Sequence, residues 1–244
     1  MDLRYSYILL FILPKLLPLL IIFILRKDLR RVIWAKGLIG GALGLAADFL
    51  LTKYYWQPYT LFGRGIVSIE SFIYGFCAVA LVAVIYLFIT ERKDKIIKLY
   101  QDKKFILKTI SFYIVMIIIG GGVIYSIMRI LNLDVWLSTT LVIVLLVALT
   151  IIRLRKWQLI KTYLGHALIV VLIMLAIGSI SYFIWWLIYP NFWPDVLILD
   201  VNWNITILGF MPLSELIYWT IILGAVELEL GDQPGRKIVK KKPI

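Results

Sequence analysis

Cysteine, histidine and charged residues are scarce in this sequence of 244 residues. The single cysteine, Cys77, excludes a disulfide within the chain. With His166 as the single histidine, a metal site built on these two residue types is not expected. No Gly-x-Gly-x-x-Gly run follows a strand pattern, so no dinucleotide or flavin fold is predicted. The sequence therefore predicts neither a metal nor another cofactor.

The shortage of charge indicates a membrane protein. Only 16% of the residues are charged, 62% are hydrophobic, and the mean hydropathy is +0.96. A soluble domain carries far more charge, so we predict an all-α protein that crosses a membrane several times. The formal net charge of +12 lies in short basic clusters between apolar runs. This pattern favours membrane lipids as partners and does not indicate nucleic acid.

The apolar runs predict seven transmembrane helices, because each approaches the length of about 20 residues that a span requires. The predicted spans cover residues 5–25, 32–52, 66–90, 107–131, 135–153, 162–189 and 207–228. Basic loops follow the first, third, fifth and seventh runs, whereas the intervening loops are poor in positive charge. By the positive-inside rule, the N-terminus is expected outside the cell membrane and the C-terminus in the cytoplasm.

Two ten-residue stretches, 65–74 and 209–218, resemble each other and lie at the start of the third and seventh runs. Each begins with glycine, ends with tyrosine and carries one carboxylate, Glu70 in the first and Glu215 in the second. A carboxylate just inside a span is costly, so two at matching places indicate two halves of one site. Taken singly, each acid could also be an interfacial residue that reaches the headgroups.

The matched stretches divide the chain into two parallel three-helix repeats joined by a linker helix. Two groups of three spans separated by one further span must have the same orientation in the membrane. The boundaries we predict are 1–104 for the first repeat, 105–133 for the linker, 134–230 for the second repeat and 231–244 for a basic cytoplasmic tail.

The first repeat carries a recognisable order of motifs. Prolines in its first span are followed by an acid near the end of the second span, an aromatic loop, and a glycine and an acid that open the third: Pro14, Pro18, Asp48, Trp56, Gly65 and Glu70. This order resembles the lycopene cyclase domain family, membrane-embedded and flavin-independent carotenoid cyclases that occur as heterodimers or tandem fusions. The resemblance covers essentially the whole chain.

The second repeat keeps part of the same pattern. Pro212 and Glu215 match the family motif, and Ser181 is the counterpart of Asp48. Where the family has a Gly-x-x-Pro-x-Glu-Glu motif, this chain departs from it at three positions. Serine replaces the proline and the second glutamate in the first half and the first glutamate in the second half: Ser68, Ser71 and Ser214. Each half therefore keeps one acid of a pair.

The resemblance implies carotenoid biosynthesis by an intramolecular lyase or isomerase. Such an enzyme cyclises the ends of a linear carotenoid such as lycopene by acid-initiated, redox-neutral chemistry within the bilayer. A carboxyl group at the edge of hydrocarbon is desolvated, which favours its neutral, proton-donating form. The candidate catalytic residues are Glu70, Glu215 and Asp48. The candidate residues that bind the lipid-soluble polyene, with aromatic faces that stabilise a cation, are Trp56, Tyr74, Pro212, Tyr218 and Trp219.

Lys15 lies about ten residues into the first span. A lysine at this depth usually faces the bundle and pairs with an acid. We therefore predict Lys15 as an electrostatic partner of Glu70 or Asp48. The two glutamates are expected to face a shared apolar cavity between the halves, open to lipid near the outer leaflet, with Asp48 and Trp56 on its wall.

Smaller features predict packing. Glycines spaced four residues apart in the second span favour close contact with another helix: Gly37, Gly40, Gly41 and Gly44. Cys77 is predicted as a small core residue. His166 lies near the cytoplasmic end of the sixth span and is predicted as an interfacial histidine.

Other functions remain open at this point. A three-plus-one-plus-three topology also describes small sugar transporters of the SWEET type, although spans two, five and six lack the expected prolines. A carotenoid hydratase, which adds water to the same cation, is a closer alternative. A retinal-binding receptor requires a lysine in the last span, and the seventh run has none.

Overall fold

A computed structural model of the protein describes residues 3–52, 57–61, 63–64, 67–90, 100, 102–133, 135–154, 157–191, 206–207 and 211–212. These residues are mostly helical. In this part of the chain, five helical segments are long and apolar enough to cross a membrane: Ile8–Leu25, Lys27–Leu51, Ile69–Ile89, Lys103–Leu131 and Leu164–Ile188. A mostly helical protein with several helices of membrane-spanning length is what the composition predicted.

Six α-helices form the described structure. They are α1 (Leu13–Leu25), α2 (Arg30–Leu51), α3 (Ile69–Ile89), α4 (Lys103–Leu131), α5 (Val135–Leu154) and α6 (Trp157–Ile188). Two antiparallel pairs of two-residue strands accompany them. The first pair joins β1 (Tyr59–Thr60) to β2 (Gly63–Arg64), and the second joins β3 (Thr206–Ile207) to β4 (Met211–Pro212).

The first predicted span, 5–25, is helical but not uniformly α-helical. A 3₁₀ turn at Leu3–Tyr5 and a π-helical segment at Ile8–Ile12 precede α1. The N–H of Leu13 donates to the carbonyl of Ile8, which is the wider π-helical spacing. Pro14 is the next residue. A proline has no N–H to donate to the carbonyl four residues back, and its ring clashes with that carbonyl. The wider turn before Pro14 accommodates that defect.

The third predicted span begins three residues later than its apolar run suggested. α3 starts at Ile69 rather than 66 because Ser68 has extended backbone and caps the helix. The side-chain oxygen of Ser68 accepts a hydrogen bond from the N–H of Ser71 at 3.4 Å. This cap fixes the position at which Glu70 enters the first turn of α3.

The prediction that a helix spans 207–228 is wrong at its start. Strand β4 pairs with β3, with Thr206 opposite Pro212 and Ile207 opposite Met211. Pro212 has no backbone N–H to donate within a helix, whereas a proline is tolerated in an edge strand. The remainder of the seventh predicted span lies outside the described residues.

Helices α2 and α3 form the most extensive contact in the described structure. A Cβ atom placed on Gly40 would collide with the carbonyl oxygen of Gly75, and one placed on Gly75 would collide with the carbonyl oxygen of Gly40. The same holds for Gly44 and the carbonyl oxygen of Ser71. The close helix packing predicted from the glycine spacing is therefore confirmed, and Gly75 is its partner on α3.

Helices α1, α4 and α6 pack against this pair. A large apolar core joins α1, α2, α3 and α6, with Ile22, Ile39, Leu81 and Val170 among its buried members. Helix α4 packs on α2 and α5. None of the residues of α4 is buried, and its outward surface is apolar. Such a surface suits a helix that faces lipid on most of its circumference.

Candidate functional site

The last turn of α2 and the first turn of α3 place Asp48 beside two serines. Asp48 is 3% exposed. Its Oδ2 accepts a hydrogen bond from the hydroxyl of Ser71 and another, at 3.3 Å, from the backbone N–H of Ser68. The two serine hydroxyls lie 3.3 Å apart. Asp48 thus binds the N-terminal end of α3, where free backbone N–H groups favour an anion.

Tyr7 extends this hydrogen-bonded chain to the first helix. Its hydroxyl lies 3.2 Å from the hydroxyl of Ser71, and the whole side chain is buried. Tyr7 was not among the predicted site residues. The signal that could have found it is the spacing of Tyr7, Phe11 and Lys15 on one face of a helix.

Glu70 lies next to this group but has different partners. It is 1% exposed, and its Oε1 accepts a hydrogen bond of 2.7 Å from the backbone N–H of Leu61. Leu61 lies in the turn between β1 and β2. The second oxygen, Oε2, is buried and forms no hydrogen bond within the described part of the chain. Glu70 therefore presents one carboxyl oxygen that no described group satisfies.

An aromatic cluster packs beside these polar groups. The ring of Tyr74 lies edge-on to the rings of Tyr7 and Phe11, with both centroid distances 6.0 Å. The ring of Phe11 lies in a similar way against Tyr182 of α6, at 5.9 Å. Trp185 belongs to the same buried cluster. The cluster thus joins rings from the first helix, α3 and α6, and the hydroxyl of Tyr7 connects it to the hydrogen bonds of Asp48.

Lys15 is buried on the same side of α1. Its ammonium group donates to the carbonyl oxygen of Phe11 at 3.1 Å and lies 4.9 Å from the centroid of the Tyr74 ring. Among the described residues, it forms no ion pair with Asp48 or Glu70. Its partners are a carbonyl group and an aromatic face, in place of the predicted carboxylate.

The other predicted site residues fall into two groups. Pro212 lies in β4, which contacts α6. Ser181, the predicted counterpart of Asp48, donates its hydroxyl to the carbonyl of Ile177 at 3.1 Å. The predicted positions that lie outside the described residues are Trp56, Gly65, Glu215, Tyr218 and Trp219. The shared cavity between the halves therefore stays a prediction.

Two further predictions concern residues far from the acids. Cys77 is buried in the core, as predicted. His166 is buried as well, with its ring 4.0 Å from that of Tyr86. It packs inside the helix bundle and is not at an exposed interface.

The arrangement defines a class of protein. It is a mostly helical protein with several helices long and apolar enough to cross a membrane, and it has a buried site in which two carboxyl groups lie near an aromatic cluster. Within the described ranges, no group of three or more His, Cys, Asp or Glu side chains could hold a metal ion. Comparison of the chain with protein-family models, with curated proteins and with solved structures gave no match.

Proposed function

We propose that this protein is an acid-initiated isomerase that cyclises the end group of a linear carotenoid such as lycopene within the bilayer. The observation that carries the proposal is the environment of Glu70. Its carboxyl group is buried, has one oxygen without a described partner, and lies in the helix turn that precedes Tyr74. A proton donor, exclusion of water and aromatic faces are what this reaction requires.

The proposed reaction begins when Glu70 transfers a proton to a terminal double bond of the polyene. The resulting carbocation is captured by a neighbouring double bond, which forms the ring. Loss of a proton from the ring then restores a double bond, so that no atom or electron is gained or lost. Glu215, at the matching place of the second half, is proposed as the group that accepts this proton.

The aromatic cluster has a defined part in this proposal. A cation over the face of an aromatic ring is stabilised by about 0.5–2 kcal/mol. One ring of this cluster, that of Tyr74, already faces a cation, since the ammonium group of Lys15 lies 4.9 Å from its centroid. The same cluster is suited to a transient carbocation. Trp56, Tyr218 and Trp219 are proposed to complete the substrate-binding wall.

We further propose that residues 1–104 and 134–230 are parallel repeats related by an axis near the membrane normal, with 105–133 as the linker. A pair of two-residue strands lies next to the matched stretch in each half, β1–β2 before 65–74 and β3–β4 around the start of 209–218. This similarity supports the repeat. A polyene dissolved in the bilayer would reach a site between the halves laterally from the lipid.

The repeat proposal requires both matched stretches to lie at the outer face of the cell membrane. We expect a reporter fused after Ile244 to be located in the cytoplasm and one fused before Met1 to be located outside, because the basic loops alternate along the chain. Two reporter enzymes, one active only in the periplasm and the other only in the cytoplasm, measure the location of each terminus. A C-terminal reporter outside the cytoplasm would contradict the topology.

The proposed activity is tested by expressing the protein in cells that accumulate lycopene and identifying the extracted pigments. We expect monocyclic or bicyclic products of the same mass as lycopene, because the reaction is an isomerisation. A product heavier by one water would instead indicate a hydratase. Unchanged lycopene, with the protein present in the membrane, would contradict both carotenoid functions and leave transport as the alternative.

A further inference from the structure

Two arginines lie near the junction of α1 and α2, and their side chains are used differently. The guanidinium group of Arg26 donates to both carboxylate oxygens of Asp28, at 2.9 and 2.8 Å, and to the carbonyl oxygen of Leu87 at 3.1 Å. Arg30, the first residue of α2, donates through Nε to the carbonyl oxygen of Phe23 at 2.8 Å. Among the groups that the structure describes, the two terminal nitrogens of Arg30 have no acceptor. They are therefore free to bind a ligand.

Helix α1 fixes the position of the Arg30 guanidinium group. Phe23 lies in the last turn of α1, where the carbonyl groups have no partner within the helix, and the Arg30 Nε supplies one. The guanidinium carbon also lies 4.8 Å from the centroid of the Phe23 ring. Held in this way, the planar group keeps its two terminal amino groups side by side on its outer edge. Two such groups form parallel hydrogen bonds to two oxygens of a phosphate.

The charge of Arg30 has no acidic partner in the described part of the chain. The nearby acid, Asp28, already binds Arg26 with both of its oxygens. Lys27 and Arg31 lie on either side of this segment and are exposed. The junction of α1 and α2 therefore presents an excess of positive charge, and a positive surface of this kind attracts an anionic ligand.

The face of α2 that continues from Arg30 and Arg31 is suited to a lipid. Trp34 and Leu38 are 55% and 40% exposed, and they follow the arginines at a spacing of three to four residues, which places them on one side of the helix. Tryptophan favours the headgroup level of a bilayer, and leucine suits the acyl chains. Arg30 lies about 27 Å from Asp48 along α2, close to the ~30 Å thickness of the hydrocarbon core. In a bilayer, these two residues belong to opposite interfaces.

We propose that Arg30 binds the phosphate group of an anionic phospholipid through its two terminal amino groups, with Arg31 adding positive charge and with Trp34 and Leu38 along the lipid chains. In the proposed topology this lipid belongs to the cytoplasmic leaflet, whose surface is negatively charged. An anionic headgroup is favoured over a zwitterionic one, because the ammonium group of the latter would meet the same positive surface. The inference does not depend on the cyclase function, since it concerns the end of α2 that is distant from Asp48.

Native mass spectrometry of the purified full-length protein with added lipid tests the site. We expect the wild type to retain phosphatidylglycerol in preference to phosphatidylcholine. Arg30→Gln should lower the apparent affinity for phosphatidylglycerol about tenfold, because hydrogen bonds between charged groups are lost. Arg129→Gln is the matched control, since Arg129 also packs on an aromatic ring, 5.4 Å from the centroid of Tyr125, but at the C-terminal end of α4. Equal losses in the two variants, or equal retention of both lipids by the wild type, would overturn the proposal.

A second variant separates a shaped site from simple attraction between charges. Arg30→Lys keeps the positive charge and a donor for the Phe23 carbonyl, so it serves as the test if Arg30→Gln does not fold. A lysine lacks the planar pair of amino groups, so we expect it to bind phosphatidylglycerol more weakly than the wild type does. Binding equal to that of the wild type would contradict the paired hydrogen bonds.

Competition with inorganic phosphate distinguishes a lipid from a soluble anion. The protein with bound phosphatidylglycerol is incubated with phosphate or with chloride at the same ionic strength before the spectra are recorded. We expect the lipid to remain bound in both cases, because its chains bury apolar surface against α2 and inorganic phosphate does not. Displacement by phosphate but not by chloride would indicate a site for a free anion and would overturn the lipid proposal.

Discussion

Replacing Glu70 with glutamine is expected to lower the yield of cyclised carotenoid by about 10²- to 10⁴-fold, the contribution of a positioned general acid. Glutamine has nearly the same shape as glutamic acid, and its side-chain oxygen can still accept the hydrogen bond from the Leu61 N–H. It cannot donate the acidic proton that starts the reaction. The helix cap and the hairpin should therefore survive while the chemistry is lost.

The measurement is the ratio of cyclised pigment to lycopene in cells that contain equal amounts of each variant in the membrane. Asp28→Asn is a suitable control, because Asp28 forms an ion pair with Arg26 between α1 and α2, away from Asp48 and Glu70. Glu215→Gln is expected to lower the yield as well. Full activity of a protein that carries both glutamine substitutions would contradict a catalytic role for either glutamate.

The second large effect is expected at the contact between α2 and α3. Gly75→Ala should destabilise the protein by about 1–3 kcal/mol, the usual range for overpacking a tight contact. The added methyl group would collide with the backbone carbonyl of Gly40, which cannot rotate away as a side chain can. The helices would have to separate, and the hydrogen bond between Asp48 and Ser71 joins the same two helices.

Gly121→Ala in α4 is the matched control, since a Cβ atom there meets nothing within 4 Å. Alanine in a helix interior is more favourable than glycine by about 0.5–1 kcal/mol, so this variant should be slightly more stable. Thermal unfolding of both variants in the same lipid nanodiscs measures the difference, at roughly 2–4 °C per kcal/mol for a chain of this size. A Gly75→Ala protein as stable as Gly121→Ala would contradict the close packing.

Much of the helical framework could be predicted from the sequence because its causes are local. A run of about 20 apolar residues has to satisfy its backbone hydrogen bonds within itself in a bilayer, and a helix does so without help from distant residues. The spacing of Gly40 and Gly44 likewise predicted a face of α2 that another helix could approach closely. That Gly75 would be the residue opposite was not predictable, because it depends on how α3 docks.

The candidate site was only partly predictable for the same reason. Asp48 and Glu70 stood out because an acid inside a span is rare, and the structure buries both side chains. Lys15 was expected to pair with one of them, but its hydrogen bond is to Phe11. Sequence position gives the depth of a lysine in a span, and it does not say which neighbour lies at that depth.

The amino-acid sequence by itself determined several helices long and apolar enough to cross a membrane, the glycine face of α2 and the presence of two acids in the first three helices. Only the tertiary structure decided the partners of those acids. Tyr7, Ser71 and Leu61 are separated along the chain, yet α1, α3 and the hairpin bring them to Asp48 and Glu70. Hydrogen bonds act over about 3 Å, so the partners of a buried acid are set by the way in which the helices dock, which no local pattern specifies.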